Sequence, residues 1–293
     1  MWLWLLGCPT NVNSPEDSDG GETGRVRDAQ GVCDAWADMR RPEVTDHGWS
    51  ASGCEVGEVD PGYVESVRLR VNGYRWLAGL PPTHEAGEDS LRRAQECAVM
   101  MHAAGSLEHN PGTSWPCYTA DGAAAAATSN LATEPGLRAI DAFMIDPGND
   151  DTLGHRRWVL GPTLTRTTIG TTSAAACLDV IEQPAADQEG FVTWPPSGLF
   201  PRTALEFPEG QYYGEPWKWH VQASGIDFSR VEVSWTMDGE TLAPTTRVLE
   251  GSAAWTSGLS LELPTTPSGT HHRIVLTGSF GEYVWETEIV DCG

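Results

Sequence analysis

The spacing of apolar residues changes period part-way along the chain, and this limits the possible folds more than any other feature. Val64, Val67, Val71 and Tyr74 recur at i, i+3, i+7 and i+10, the stripe of an amphipathic helix. Asp60-Pro61 opens that helix, with Asp suited to the cap and Pro to the first turn, and Gly79 with Pro81-Pro82 closes it. A second helix is expected from Asp89-Ser90 to Gly105, burying Leu91, Ala94, Ala98 and Met101 with Cys97 alongside. An alanine-rich helix, Ala123 to Ala127, capped by Asp121, runs into Ser129-Asn130-Leu131-Ala132, and a fourth helix after Glu134-Pro135 carries Leu137, Ile140 and Met144. After Trp158 the period falls to two. Thr167 to Thr172 and Cys177 to Ile181 read as strands. Beyond the Pro/Gly-dense stretch from Trp194 to Pro201, alternation such as Val231, Val233, Trp235 and Met237 recurs between turn signals. Helices followed by strands make an α+β chain built in layers. The short strands at the end predict a small immunoglobulin-like β-sandwich.

A length of 293 residues suits two domains. Their expected extents are 32–193 and 194–293, the first with an irregular lead-in from Gly31 to Val59 that holds Cys33 and Cys54. Residues 9–31 are acidic and nearly free of apolar side chains, so they are expected to be a flexible tether. Residues 1–8 read as a lipoprotein-type signal remnant: Leu5-Leu6-Gly7-Cys8 has the form of a lipobox with Cys8 as the lipidated residue, although no basic segment precedes it. The 18 Lys and Arg against 41 Asp and Glu give a formal charge of −23, which argues against nucleic acid as a partner. The same charge leaves a lipid anchor as the one expected contact with a membrane. None of the seven cysteines forms a CxxC pair. With Cys8 set aside, six remain, enough for three disulfides and indicative of an oxidising, extracytoplasmic compartment.

Two histidines stand apart from the rest. His155 lies in Gly154-His155-Arg156-Arg157-Trp158, directly after the acidic, turn-rich run from Asp146 to Asp151. His109 lies between a helix end and the turn at Pro111. Arg156 and Arg157 are expected to pair with Asp146, Asp150 and Asp151 rather than to meet an anionic ligand. His102 reads as filler on the second helix, and His47, His84, His220, His271 and His272 have no companions. No Gly-x-Ser-x-Gly or His-Glu-x-x-His motif is present.

From residue 59 to 181 the chain resembles the CAP superfamily (cysteine-rich secretory proteins, antigen 5 and pathogenesis-related proteins), in the divergent form of secreted bacterial proteins. The resemblance rests on the order and spacing of Val71-Asn72-Gly73-Tyr74-Arg75, Ala94-Gln95-Glu96-Cys97-Ala98, Leu107-Glu108-His109-Asn110-Pro111, Ser129-Asn130-Leu131-Ala132, Phe143-Met144 and Gly154-His155-Arg156. It implies an α-β-α sandwich and a cleft of two histidines and two acidic residues that, in many members, holds a divalent metal. His109 and His155 match the histidines. Asp146 falls on one acidic position, and Ser129, before Asn130, on the other. Two imidazoles, a carboxylate and a water could hold a zinc ion, so His109, His155 and Asp146 are the candidate ligands; no cofactor is certain, and Ser129 weakens the site. Cys33 and Cys54 are expected to staple the lead-in; a Cys97–Cys117 bridge fits the resemblance by pinning the loop that carries His109, and Cys177 and Cys292 are then left to each other. The implied function is a non-catalytic extracytoplasmic protein, lipid-anchored or secreted, binding a lipid, glycan or protein in a cleft of His109, Ser129, Asn130, Asp146 and His155. The alternatives are a metal-assisted hydrolase or peptidase using the same cleft, and recognition by the β-sandwich with the first domain as scaffold.

Overall fold

The computed structural model describes residues 27–40, 46–50, 53–180, 190–206, 217–251, 257–263 and 267–293. Cys8 and nearly all of the expected tether lie outside these residues. The chain is α+β, with a β-sandwich following a helix-rich part.

Six helices are present among the described residues: α1 (Ala29–Arg40), α2 (Pro61–Leu77), α3 (Glu88–Ala104), α4 (Ala120–Thr128), α5 (Gly136–Ile145) and α6 (Gly154–Val159). Asp60 caps α2 by accepting the Tyr63 N–H, and all four stripe residues of that helix are buried. Helix α3 ends at Gly105 in the left-handed conformation. The cap of α4 is Thr119, whose Oγ1 accepts from Gly122 N at 2.9 Å, rather than Asp121, which instead pairs with Arg92. The lead-in expected to be irregular contains α1. Its stripe of Val32, Ala35 and Trp36, with Met39 half-buried, has helical spacing and was a readable signal.

A first sheet has the order β1-β3-β4-β2, formed by His84–Glu85, Arg166–Thr171, Ala176–Asp179 and Ser129–Ala132 in that order. Helices cover both faces: Leu131 and Cys177 pack with Cys97, Met101 and Ala126 of α3 and α4, whereas Ala132, Ile169 and Leu178 pack with α2 and α5. Helix α3 lies directly on β3. Gln95 there acts like a neighbouring strand, accepting from Thr171 N at 2.8 Å and donating to Thr171 O at 2.9 Å. A Cβ on Gly170 would overlap the Ala94 carbonyl, so glycine is required by the close approach of backbones.

The sandwich has two sheets. One has the order β10-β11-β7-β5 (Thr245–Leu249, Gly258–Leu263, Trp217–Ala223, Phe191–Trp194), and the other β6-β13-β12-β8-β9 (Gly198–Pro201, Gly281–Val290, Thr270–Gly278, Glu232–Met237, Glu240–Leu242). Strand β5 pairs with β7, so the sandwich begins at Phe191, and the expected boundary between 193 and 194 falls inside a strand. Trp219, Val221 and Leu261 face the sandwich interior against Trp235, Trp285 and His272. The alternate residues Lys218, His220 and Gln222 are also buried, because the first domain covers that face. One hydrophobic cluster runs from α2 and the first sheet through Trp194 to Trp285.

Three disulfides join Cys33 to Cys292, Cys54 to Cys117 and Cys97 to Cys177. The six cysteines expected to pair do so, in a state suited to an oxidising compartment, but each expected partner is corrected. Cys97 on α3 sits over β4 and meets Cys177 in the buried cluster. That leaves Cys117 to the 46–60 segment and Cys33, on α1, to the chain end.

His272 has a complete set of partners. Its Nδ1 accepts from Trp235 Nε1 at 3.1 Å, its Nε2–H donates to Thr270 Oγ1 at 2.9 Å, and Thr270 donates onward to Pro267 O at 2.6 Å. This chain requires a neutral ring, and burial lowers the pKa from 6.5 to about 4. Because the folded pKa lies below the unfolded one, the unfolded chain binds more protons between these values. Stability present above pH 6.5 is therefore lost as pH falls toward 4. Urea melts across this range should show the fall, and His272→Gln should flatten it. Separately, Gly170→Ala should lower stability by about 3 kcal/mol through overpacking, measured by chemical unfolding.

Candidate functional site

The site begins at the end of α5. Asp146 takes the left-handed conformation there (φ 57°), which an aspartate tolerates, and its N–H closes on Ala142 O at 2.7 Å. The loop from Pro147 to Leu153 folds back on itself, with Leu153 N donating to Asn149 O at 2.8 Å. Helix α6 is thereby returned to the carboxylate it left nine residues earlier. Asp146 Oδ1 accepts from His155 Nδ1 at 2.7 Å, and Asp146 Oδ2 accepts from Arg156 N at 3.4 Å. Asn149 Nδ2 donates to the same carboxylate at 3.2 Å. Asp146 is wholly buried, whereas the His155 side chain is 32% exposed.

Because a carboxylate only accepts, His155 carries its proton on Nδ1, and Nε2 is the atom left for a ligand. The Phe143 ring lies 5.1 Å from the imidazole, and Asn130 Nδ2 donates to His155 O at 3.0 Å. His155, Asp146 and Asn130 thus form one connected unit. Among the described residues, no hydroxyl or thiol is hydrogen-bonded to His155 Nε2.

The other two expected members stand elsewhere. His109 is exposed, and its Nδ1 donates to Ala126 O at 2.8 Å, in the last turn of α4. No hydrogen bond or ring contact joins it to His155 or Asp146 among the described residues. Ser129 is buried with its Oγ unpartnered. Strand alternation places Ser129 with Leu131 on the α3/α4 side and Asn130 with Ala132 on the opposite side, so the two do not share a cleft wall.

The candidate ligand set of His109, His155 and Asp146 is therefore corrected. Asp146 lies behind His155, on the ring nitrogen turned away from solvent, and its oxygens are taken by the imidazole, Asn149 and a backbone amide. Among the described residues no three His, Cys, Asp or Glu side chains converge to hold a metal ion. The donor set does not fit zinc.

Arg156 and Arg157 also differ from expectation. Arg156 donates to Met144 O at 2.5 Å and Ile145 O at 3.1 Å, the free carbonyls at the end of α5, and to Lys218 O at 2.6 Å. Arg157 donates to Thr152 O at 3.0 Å, Gln222 Oε1 at 2.9 Å and Glu250 O at 2.8 Å. The acids expected to receive them reach across to the sandwich instead: Asp150 pairs with Lys218 and Asp151 with Arg247. Burial lowers both arginines to about 10, with Asp146 acting against it, so both remain charged at neutral pH. Beneath them His220 is wholly buried, and neither ring nitrogen has a partner. Burial, then Arg156 and Arg157, hold its pKa well below the usual histidine range. The polar residues at 218, 220 and 222, alternating with Trp219 and Val221, were the sequence signal for a second covered face.

No known family matches the chain, and no curated protein matches it. Among solved structures, parts of it are similar to immunoglobulin domains. The Dscam1 Ig7 domain, isoform 5, is 12% identical over 27% of this chain and 80% of that one, with a TM-score of 0.19. The M1 domain of titin is 13% identical over 36% and 96%, with a TM-score of 0.21. The titin tandem A164-A165 is 14% identical over 43% and 73%, with a TM-score of 0.20.

Asp146→Asn keeps a residue that tolerates the left-handed conformation but removes the charge shared by His155 and Arg156. It should cost about 2 kcal/mol in chemical unfolding and release the His155 ring, seen as loss of the slowly exchanging Nδ1–H resonance.

Proposed function

We propose that this chain is an extracytoplasmic binding protein of the CAP type, non-catalytic, held near a membrane through Cys8 or secreted. The observation that carries the reading is the His155–Asp146 pair. A buried carboxylate fixes one ring nitrogen and leaves the other facing solvent, with Asn130 holding the helix that bears it. Helices on both faces of the first sheet agree with the α-β-α sandwich that the resemblance implies. Three disulfides agree with an extracytoplasmic location. The ligand is an envelope or extracellular lipid, glycan or protein segment that offers a hydrogen-bond donor to Nε2.

A second reading, hydrolysis, is favoured by the same geometry, since a histidine oriented by a carboxylate is how a general base is built. It would act on a water, because Ser129 faces away.

Phosphatidylglycerol vesicles, N-acetylglucosamine oligosaccharides and a peptide library are the probes. Saturable binding to one of them, weakened at least about tenfold by His155→Ala and unchanged by His102→Ala, is the expected outcome. Binding indifferent to His155→Ala removes this reading. Peptide cleavage by the wild type that His155→Ala abolishes replaces it with the second.

A further inference from the structure

The helix that carries the site histidine is fastened from the far side by the other domain. Lys218, His220 and Gln222 lie on one face of β7, and that face is turned toward α6. His220 and its cross-strand neighbour Ser260 offer no hydrogen bond to α6, since their side-chain polar atoms have no partners. The polar fastening falls on the two residues after His155. Arg156 reaches Lys218 O, and Arg157 reaches Gln222 Oε1 and Glu250 O. The preceding loop is tied by Glu250 N donating to Asp151 O at 3.0 Å, and by the Asp150–Lys218 and Asp151–Arg247 pairs.

From this we infer that the β-sandwich is a positioning element of the His155 site. The His155 ring meets Asp146 only if α6 keeps its rotation about its own axis. A six-residue helix is too short to hold that rotation by itself. Asn130 and Arg75 hold α6 from within the first domain, and the sandwich adds a further restraint through Arg156 and Arg157, one and two residues along the same backbone. Gln222 is thus a positioning residue that acts on His155 through Arg157 without touching it. A consequence is that whatever engages the sandwich and shifts β7 changes the presentation of His155 Nε2.

The inference deepens the binding reading above and takes its functional meaning from it, but its test needs no ligand. Histidine side-chain nitrogen NMR on the full chain reads the His155 tautomer, and hydrogen exchange reads the Arg157 N–H, which donates to Leu153 O at 3.0 Å. Gln222→Leu should shift His155 from the Nδ1–H form toward a mixture of tautomers and speed exchange at Arg157 at least about tenfold, the equivalent of one hydrogen bond to a charged group. Gln222→Glu, which keeps an acceptor for Arg157, should retain the wild-type pattern. Leu242→Ala, a destabilising change on the edge strand β9, which does not pair with β7, should leave His155 unmoved. If Gln222→Leu does not fold, Arg247→Gln, which removes an exposed link to Asp151, should move His155 in the same direction. An unchanged His155 in the folded Gln222→Leu or Arg247→Gln variants, or an equal change in Leu242→Ala, overturns the inference. Absence of any ligand in the binding assay would instead count against the binding reading alone.

Discussion

The arrangement depends on arginines buried against main-chain carbonyls. Moving a guanidinium out of water is costly unless its donors are satisfied. Helix C-termini present carbonyls with no partner inside the helix and carry the negative end of the helix dipole. Arg156 closes on two such carbonyls, Met144 O and Ile145 O, at the end of α5. Arg75, fully buried in α2, donates to Val159 O and Gly161 O at the end of α6, and to Pro81 O and Leu164 O in the adjoining loops. Each arginine thus answers two demands at once, its own need for acceptors and a helix end's need for donors. Because the fork of donors is planar and rigid, each fixes the relative placement of several chain segments. Arg70 does the same at the end of α1, donating to Met39 O at 2.9 Å and Arg40 O at 3.2 Å, and adds a buried ion pair with Asp141 at 2.7 Å, to which Tyr74 also donates.

This explains why the molecule is continuous across its two parts. The face of β7 toward the first domain is polar yet buried, because Arg156 and Arg157 supply hydrogen bonds there. Around it the apolar contacts continue: Trp194 stands 5.9 Å from Tyr74, and Trp36, itself 5.4 Å from Tyr74, donates to Thr203 at 2.7 Å. The Cys33–Cys292 bridge closes the same seam covalently, joining α1 to the end of the last strand. His155 sits beside this seam, so the order of the His155–Asp146 pair and the order of the domain contact rest on neighbouring residues.

Much of this was legible in the sequence where the signal is local. The stripe of α2, the Asp60 cap, the Gly105 stop and the alternation leading to Trp235 depend on residues a few positions apart. Asp146 and His155 were named together through the resemblance, as ligands of one metal ion, and not as the hydrogen-bonded pair that the turn between them makes. Their partner Asn130 was readable, but its separation from Ser129 onto opposite faces was not, because Ser129 to Ala132 read as the continuation of an alanine-rich helix. The disulfide partners failed for a related reason. Loop closure depends on which helix face lies over which strand, and Cys97 meeting Cys177 is set by α3 packing on the first sheet.

The sequence by itself determined the helix-then-strand order, the six cysteines available for pairing and the two histidines that stand apart, because periodicity and composition are properties of neighbouring residues. The tertiary structure decided which cysteines pair, that Asp146 supports His155 from behind instead of joining it around a metal, and that Arg156 and Arg157 bind carbonyls across the domain seam. Those outcomes depend on where a buried donor finds its acceptor, and acceptors such as Lys218 O and Glu250 O belong to the backbone, which no side-chain pattern identifies.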